Sequence, residues 1–192
     1  MNTRQMTDWE QYALIVHVVR RLGGGRPFGR KALQKVVYLL QEHAGIPANF
    51  RYTFYTYGVY SFELANTLSA VENMKGVQAL YDHSQNIYFL SEGERADALE
   101  VKGKPFLDRH KSKIEEVISL ASDKIAKDLE LITTIVFVAL NENLGALVRQ
   151  SELIARVKEL KPKFEQGKIE NQIAELREQG FFAAALKRKV AK

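Results

Sequence analysis

The side chains best able to move a proton or hold a metal near neutral pH are four histidines, His17, His43, His83 and His110. No two of them stand at metal-ligand spacing, and they fall on three different helical segments and a turn. Acid-base or metal chemistry needs partners within reach, so all four are read as surface or boundary residues. The carboxylate pairs Glu115 and Glu116, and Asp128 and Glu130, lie on charge-rich helical stretches and read as solvated surface. Cysteine is absent, which excludes thiolate nucleophiles, disulfides and cysteine-ligated zinc. Ser61 has no histidine near it in sequence and no nucleophile-elbow pattern around it, and its expected role is a helix cap. The run "GGGRPFGRK", Gly23 to Lys31, lacks the Gly-Lys-Ser/Thr ending of a phosphate loop and follows no strand, which makes it an inter-helix loop. No catalytic residue, metal ligand or cofactor site is therefore expected, and the chain is read as a protein that is not an enzyme.

What remains is a surface chemistry. "FRYTFYTYGVYSFELANTL", Phe50 to Leu68, holds six aromatic residues before Ser61. Its first part alternates with period two: Phe50, Tyr52 and Phe54 share one face, while Arg51, Thr53, Tyr55 and Tyr57 share the other, as a strand requires. Gly58 permits a sharp turn, Ser61 caps, and Leu64, Ala65, Leu68 and Val71 mark the helix that follows. Strand, turn and cap account for most of the segment and leave Tyr55, Tyr57 and Tyr60 over. Tyrosine combines a large apolar body with a polar tip, so an exposed group of them suits a protein interface, with burial against the hairpin as the equal alternative. A second candidate face lies on the preceding helix, about Gly29 to Ala44. There Lys31, Lys35, Tyr38 and Glu42 stand opposite the stripe Leu33, Val36, Val37, Leu40 and Ala44.

The remaining elements must position these faces. A first helix runs from Asp8 to Leu22, capped by Thr7 or Asp8, with Tyr12, Ile15, Val16, Val19 and Leu22 apolar. After the helix that begins at Ser61, "VQALY" and "NIYFL" form a hairpin around "DHSQ", and Ser91 with Glu94 reads as a capping box opening a helix through Leu99. Beyond "VKGKP" the pattern is wholly helical: about Phe106 to Ile125, Leu129 to Leu140, Glu152 to Leu160 and Gln166 to Gln179. The expected fold is α+β and mostly helical. It comprises a winged-helix-like domain with a small sheet at 1–102, a connecting helix at 103–126, a helix-turn-helix-like domain at 127–186 and a basic tail at 187–192.

Net charge is +5 over 192 residues but is uneven, +4 over residues 1–50 and −4 over 51–100. The tail "KRKVAK" alone carries +4, so the basic balance by itself argues little for nucleic acid. A DNA-reading third helix would carry Arg, Lys, Asn or Gln toward the groove, whereas "SFELANTLSAVENM" has Glu63 and Glu72 and no basic residue. The helix with Lys168, Asn171, Gln172, Glu175 and Arg177 is better suited, which keeps a DNA-binding transcriptional regulator as the alternative function. No apolar run approaches the roughly 20 residues of a membrane helix, and the polar N-terminus has no signal-peptide core. A cytoplasmic protein with no membrane partner is expected, with a homodimer as its default assembly.

"KALQKVVYLLQ" (Lys31 to Gln41) followed by "FYTYGVYSFELANTL" (Phe54 to Leu68) resembles the uncharacterised bacterial YwgA-type family. More distantly it is similar to the Panacea domain of SocA-type antitoxins and phage-associated proteins. Leu33, Gln34, Lys35, Tyr38, Gly58, Tyr60, Ser61, Glu63 and Leu64 match the pattern, while Val59 stands where family members place proline. The resemblance implies a non-enzymatic protein that binds and restrains a partner protein, a toxin among the candidates. The expected partner-binding residues are Lys31, Gln34, Lys35, Tyr38, Tyr55, Tyr57, Gly58, Tyr60 and Ser61.

Overall fold

A computed structural model describes residues 6–23, 27–83, 87–141 and 150–181. The described chain forms α1 (Asp8–Gly23), α2 (Arg30–Glu42), β1 (Thr53–Tyr55), β2 (Gly58–Tyr60), α3 (Phe62–Asn73), β3 (Val77–Asp82) and β4 (Ile87–Glu92). It continues through α4 (Ala96–Lys102), α5 (Lys104–Ala121), α6 (Ala126–Asn141), α7 (Gln150–Leu160) and α8 (Gln166–Glu178). The fold is mostly helical α+β, with two separate antiparallel hairpins, β1–β2 and β3–β4. The basic tail 187–192 lies outside the described residues, as do parts of the "GGGRP" loop and of the "DHSQ" turn.

Thr7 opens α1 with a reciprocal capping box. Its backbone N–H donates to Glu10 Oε2 at 2.8 Å, and the Glu10 N–H donates to Thr7 Oγ1 at 3.3 Å. From Ala13 onward α1 is buried on almost every side, because α2, α3, α4, α5 and β4 all pack around it. Gly103 makes the tight α4–α5 corner possible, since a β-carbon there would overlap the Ala13 methyl. α6 is buried from Leu129 to Val136, packed against α2, β2, α7 and α8. One apolar core runs from α1 through α2 to α6 and α8, so the two helical halves share their interior.

Three expectations about elements are corrected. The strand at Phe50–Tyr57 is shorter and doubles back: β1 ends at Tyr55, a two-residue turn follows, and Gly58, at φ 86°, pairs with Tyr55 at the start of β2. A glycine in the left-handed region closes such a turn without a β-carbon penalty, and that second strand was hidden by its brevity. Ser91 does not cap a helix. It pairs with Gln78 inside the β3–β4 ladder, α4 starts only at Ala96, and Glu94 pairs with Lys75 instead. Half of the polar side assigned to α2 is likewise interior, for α2 is buried from Ala32 to Leu40, including Lys35 and Tyr38, while Lys31 stays exposed and Glu42 half-buried. No helix among the described residues is long and apolar enough to cross a membrane.

Candidate functional site: an aromatic corner on a buried lysine cluster

The β1–β2 hairpin is the only route between α2 and α3, and its position is fixed from beneath by polar groups. Gln34, on α2 and 4% exposed, makes a two-way clamp on Ser61. Its Nε2 donates to the Ser61 carbonyl at 2.9 Å, and the Ser61 N–H donates to Gln34 Oε1 at 2.9 Å. Ser61 Oγ in turn accepts the Leu64 N–H at 3.2 Å, so the serine that caps α3 is itself anchored to α2. From the next residue of α2, Lys35 Nζ donates to the Val59 carbonyl at 2.6 Å. A third carbonyl, that of Thr56 at the hairpin tip, accepts from Lys161 Nζ, supplied by the segment after α7.

Glu130 of α6 balances part of this charge. Lys161 Nζ forms an ion pair with its Oε1 at 2.8 Å, and Lys163 Nζ donates to its Oε2 at 2.7 Å. Burial alone would raise the Glu130 carboxyl, but these two ammonium groups outweigh it and hold the group below its ordinary value. Lys35 goes the other way. Desolvation dominates, the Glu130 charge opposes it, and the Lys161 and Lys31 charges add to it, which together lower the amine to about 8. Gly58 lies over both groups, its missing side chain leaving room 3.5 Å from Glu130 Cγ and 3.7 Å from Lys35 Cε. Below, Tyr38 and Tyr52 meet edge-on at 5.0 Å, and burial, with the Glu42 charge behind it, pushes both phenols well up.

The outer side of the same hairpin is aromatic. Tyr55, Tyr57 and Phe62 are 47%, 59% and 62% exposed, and Tyr60 is half-buried between them. Tyr55, Tyr60 and Phe62 contact one another edge-to-face, with centroids 6.2, 6.0 and 5.1 Å apart. Lys31 Nζ sits 3.8 Å from the centre of the Tyr57 ring. The hairpin thus presents a rigid aromatic and cationic surface whose backbone is pinned from the interior by Gln34, Lys35 and Lys161.

Of the residues expected at a partner surface, Lys31, Tyr55, Tyr57 and Tyr60 reach the outside, while Gln34, Lys35, Tyr38, Gly58 and Ser61 are interior. The physical reason is that α2 is enclosed by α1, α5, α6 and β2, which leaves no open side at Lys35 or Tyr38. Phe62 was missed, although Ser61 as N-cap places it at the first helical position, outside the apolar stripe set by Leu64, Leu68 and Val71. Glu130 is no surface carboxylate, and His43 is buried, stacked on Phe181 at 3.5 Å with Nε2 3.2 Å from Glu116. Lys161 carried no sequence signal, since nothing local marks a lysine that neutralises a carboxylate on another helix. Neither a scan of protein-family models nor a search of curated proteins finds a match to this chain.

Proposed function

We propose that this chain is a non-enzymatic recognition protein that binds a partner protein, antitoxin-like, through the Tyr55, Tyr57, Tyr60 and Phe62 corner and the adjoining Lys31. The observation that carries the proposal is the exposure of Tyr55 and Tyr57 on the hairpin and of Phe62 at the start of α3, grouped around the half-buried Tyr60, on a backbone whose Val59 and Ser61 carbonyls are held by buried side chains. Rigid aromatic residues give large contact area at low entropic cost, the pattern of interface hot spots. The cations that reach the surface here are Lys31, exposed over the Tyr57 ring, and Lys163, half-exposed beside Glu130, so a partner segment with carboxylates beside apolar side chains is favoured. The more distant similarity of the Lys31–Leu68 segment to the Panacea domain of SocA-type antitoxins supports the same class of partner. DNA recognition ranks second, because α3 has no basic residue and Lys168 of α8 is engaged by Asp128 at 2.7 Å.

A photo-crosslinking amino acid at position 57 tests the proposal, with the same group at Val101, which is 66% exposed on α4, as the control. A discrete protein adduct formed from position 57 and absent from position 101 is the expected result. Equal labelling from both positions, or none from position 57, refutes it.

A further inference from the structure

A cleft of about 570 Å3 opens between β4, the start of α2 and the short α5–α6 connection. Its size falls in the range of small-molecule sites. The walls are apolar, formed by Ala79, Ile87 and Leu90 on the hairpin side and by Ile125 and Ala126 opposite. Two large apolar side chains stand at its lips almost uncovered, Tyr88 at 69% exposure and Ile125 at 65%. The charged groups lining it are all positive, Arg30, Lys31 and Lys124, and no carboxylate lines it among the described residues. Arg30 is partly engaged by Glu72 at 2.7 Å and Lys124 by Asp123 at 3.2 Å and Glu175 at 3.8 Å, but all three acids sit outside the cleft. The first turn of α2 borders the same space behind Gly29, which supplies no side-chain cap, and that turn contains no acidic residue.

We infer that this cleft binds a small organic anion, its apolar body held between Tyr88 and Ile125 and its acidic head set against Lys31, Arg30 and the start of α2. Apolar walls under an exclusively cationic rim favour a ligand with both characters over a neutral apolar one. A small ligand is favoured over a peptide because the volume of about 570 Å3 is that of a small-molecule site. The site is separate from the tyrosine corner and shares only Lys31 with it.

Titrating the full chain with decanoate, followed through backbone amide NMR shifts and repeated with decanol, tests the inference. Saturable shifts at Gly29 to Ala32 and at Ile125 and Ala126 are expected, with a dissociation constant below about 1 mM and decanol binding at least about tenfold more weakly. Ile125→Asp, at an exposed position outside any helix, should leave the spectrum folded and weaken decanoate by about tenfold or more. Absence of saturation, equal binding of decanol and decanoate, shifts confined to other regions, or an Ile125→Asp variant that binds as well as the parent would each overturn it.

Discussion

Lys35 is the residue whose removal exposes the energetics of the site most directly. Its amine is 3% exposed and is lowered to about 8 from an ordinary 10.5, an interval worth about 3 kcal/mol of disfavour toward the charged form. Between about 8 and 10.5 the unfolded chain therefore binds more protons at this position than the folded one, and stability rises with pH across that window. The penalty is fully in force below about 8 and is relieved as pH climbs toward 10.5. Integrated from about pH 7 to about pH 9.5, the gain is about 2 kcal/mol. Tyr38 and Tyr52 act in the opposite sense at higher pH, because their raised phenols stay protonated when folded while the unfolded chain ionises near 10.

Comparison with Lys35→Met cancels those other titrations. The variant loses the 2.6 Å bond to Val59 and leaves that carbonyl unpaired, a cost of about 1–3 kcal/mol that is independent of pH. Urea unfolding followed by the fluorescence of Trp9, the single tryptophan, gives both stabilities. The parent should gain about 2 kcal/mol on the variant between about pH 7 and about pH 9.5. A difference that stays constant over that range would show that Lys35 is solvated in the folded protein and that the buried cluster is wrongly assigned.

Two further substitutions probe the support of the hairpin. Gln34→Ala removes both bonds to Ser61 and strands its N–H and carbonyl, which should cost about 2–4 kcal/mol by thermal or urea unfolding, and a loss under about 0.5 kcal/mol would deny the clamp. Glu130→Gln leaves Lys161 buried without its counter-charge and should destabilise by about 3 kcal/mol at neutral pH. In that variant Lys35 also loses its one favourable neighbour, so its amine should titrate lower still, as followed by NMR of the side-chain Cε resonance.

How much of this was legible beforehand follows the range of the forces involved. Most helices among the described residues, the β3–β4 hairpin, the capping role of Ser61 and the turn at Gly58 are set by periodicity, caps and backbone permissiveness over a few residues, and those signals stand in the sequence. The same local patterns left Tyr55, Tyr57 and Tyr60 unassigned to the core without deciding between exposure and burial, and the fold exposes Tyr55 and Tyr57 and half-buries Tyr60. Which side of α2 is open was not local. A Lys-x-x-x-Lys-x-x-Tyr face looks solvated along one helix, and only the arrival of α6 and β2 against it turns Lys35 and Tyr38 inward. Glu130 and Lys161 stand 31 positions apart and acquire meaning only when the chain brings them within 2.8 Å. The sequence by itself thus determined most of the helices and the β3–β4 hairpin, because those depend on nearest neighbours along the chain, while the short β2 and the exposure of the aromatic corner depended on what packs beneath them. Tertiary structure alone decided which polar groups are buried, since burial is a property of what packs from other helices and is the condition under which a charge must find its partner.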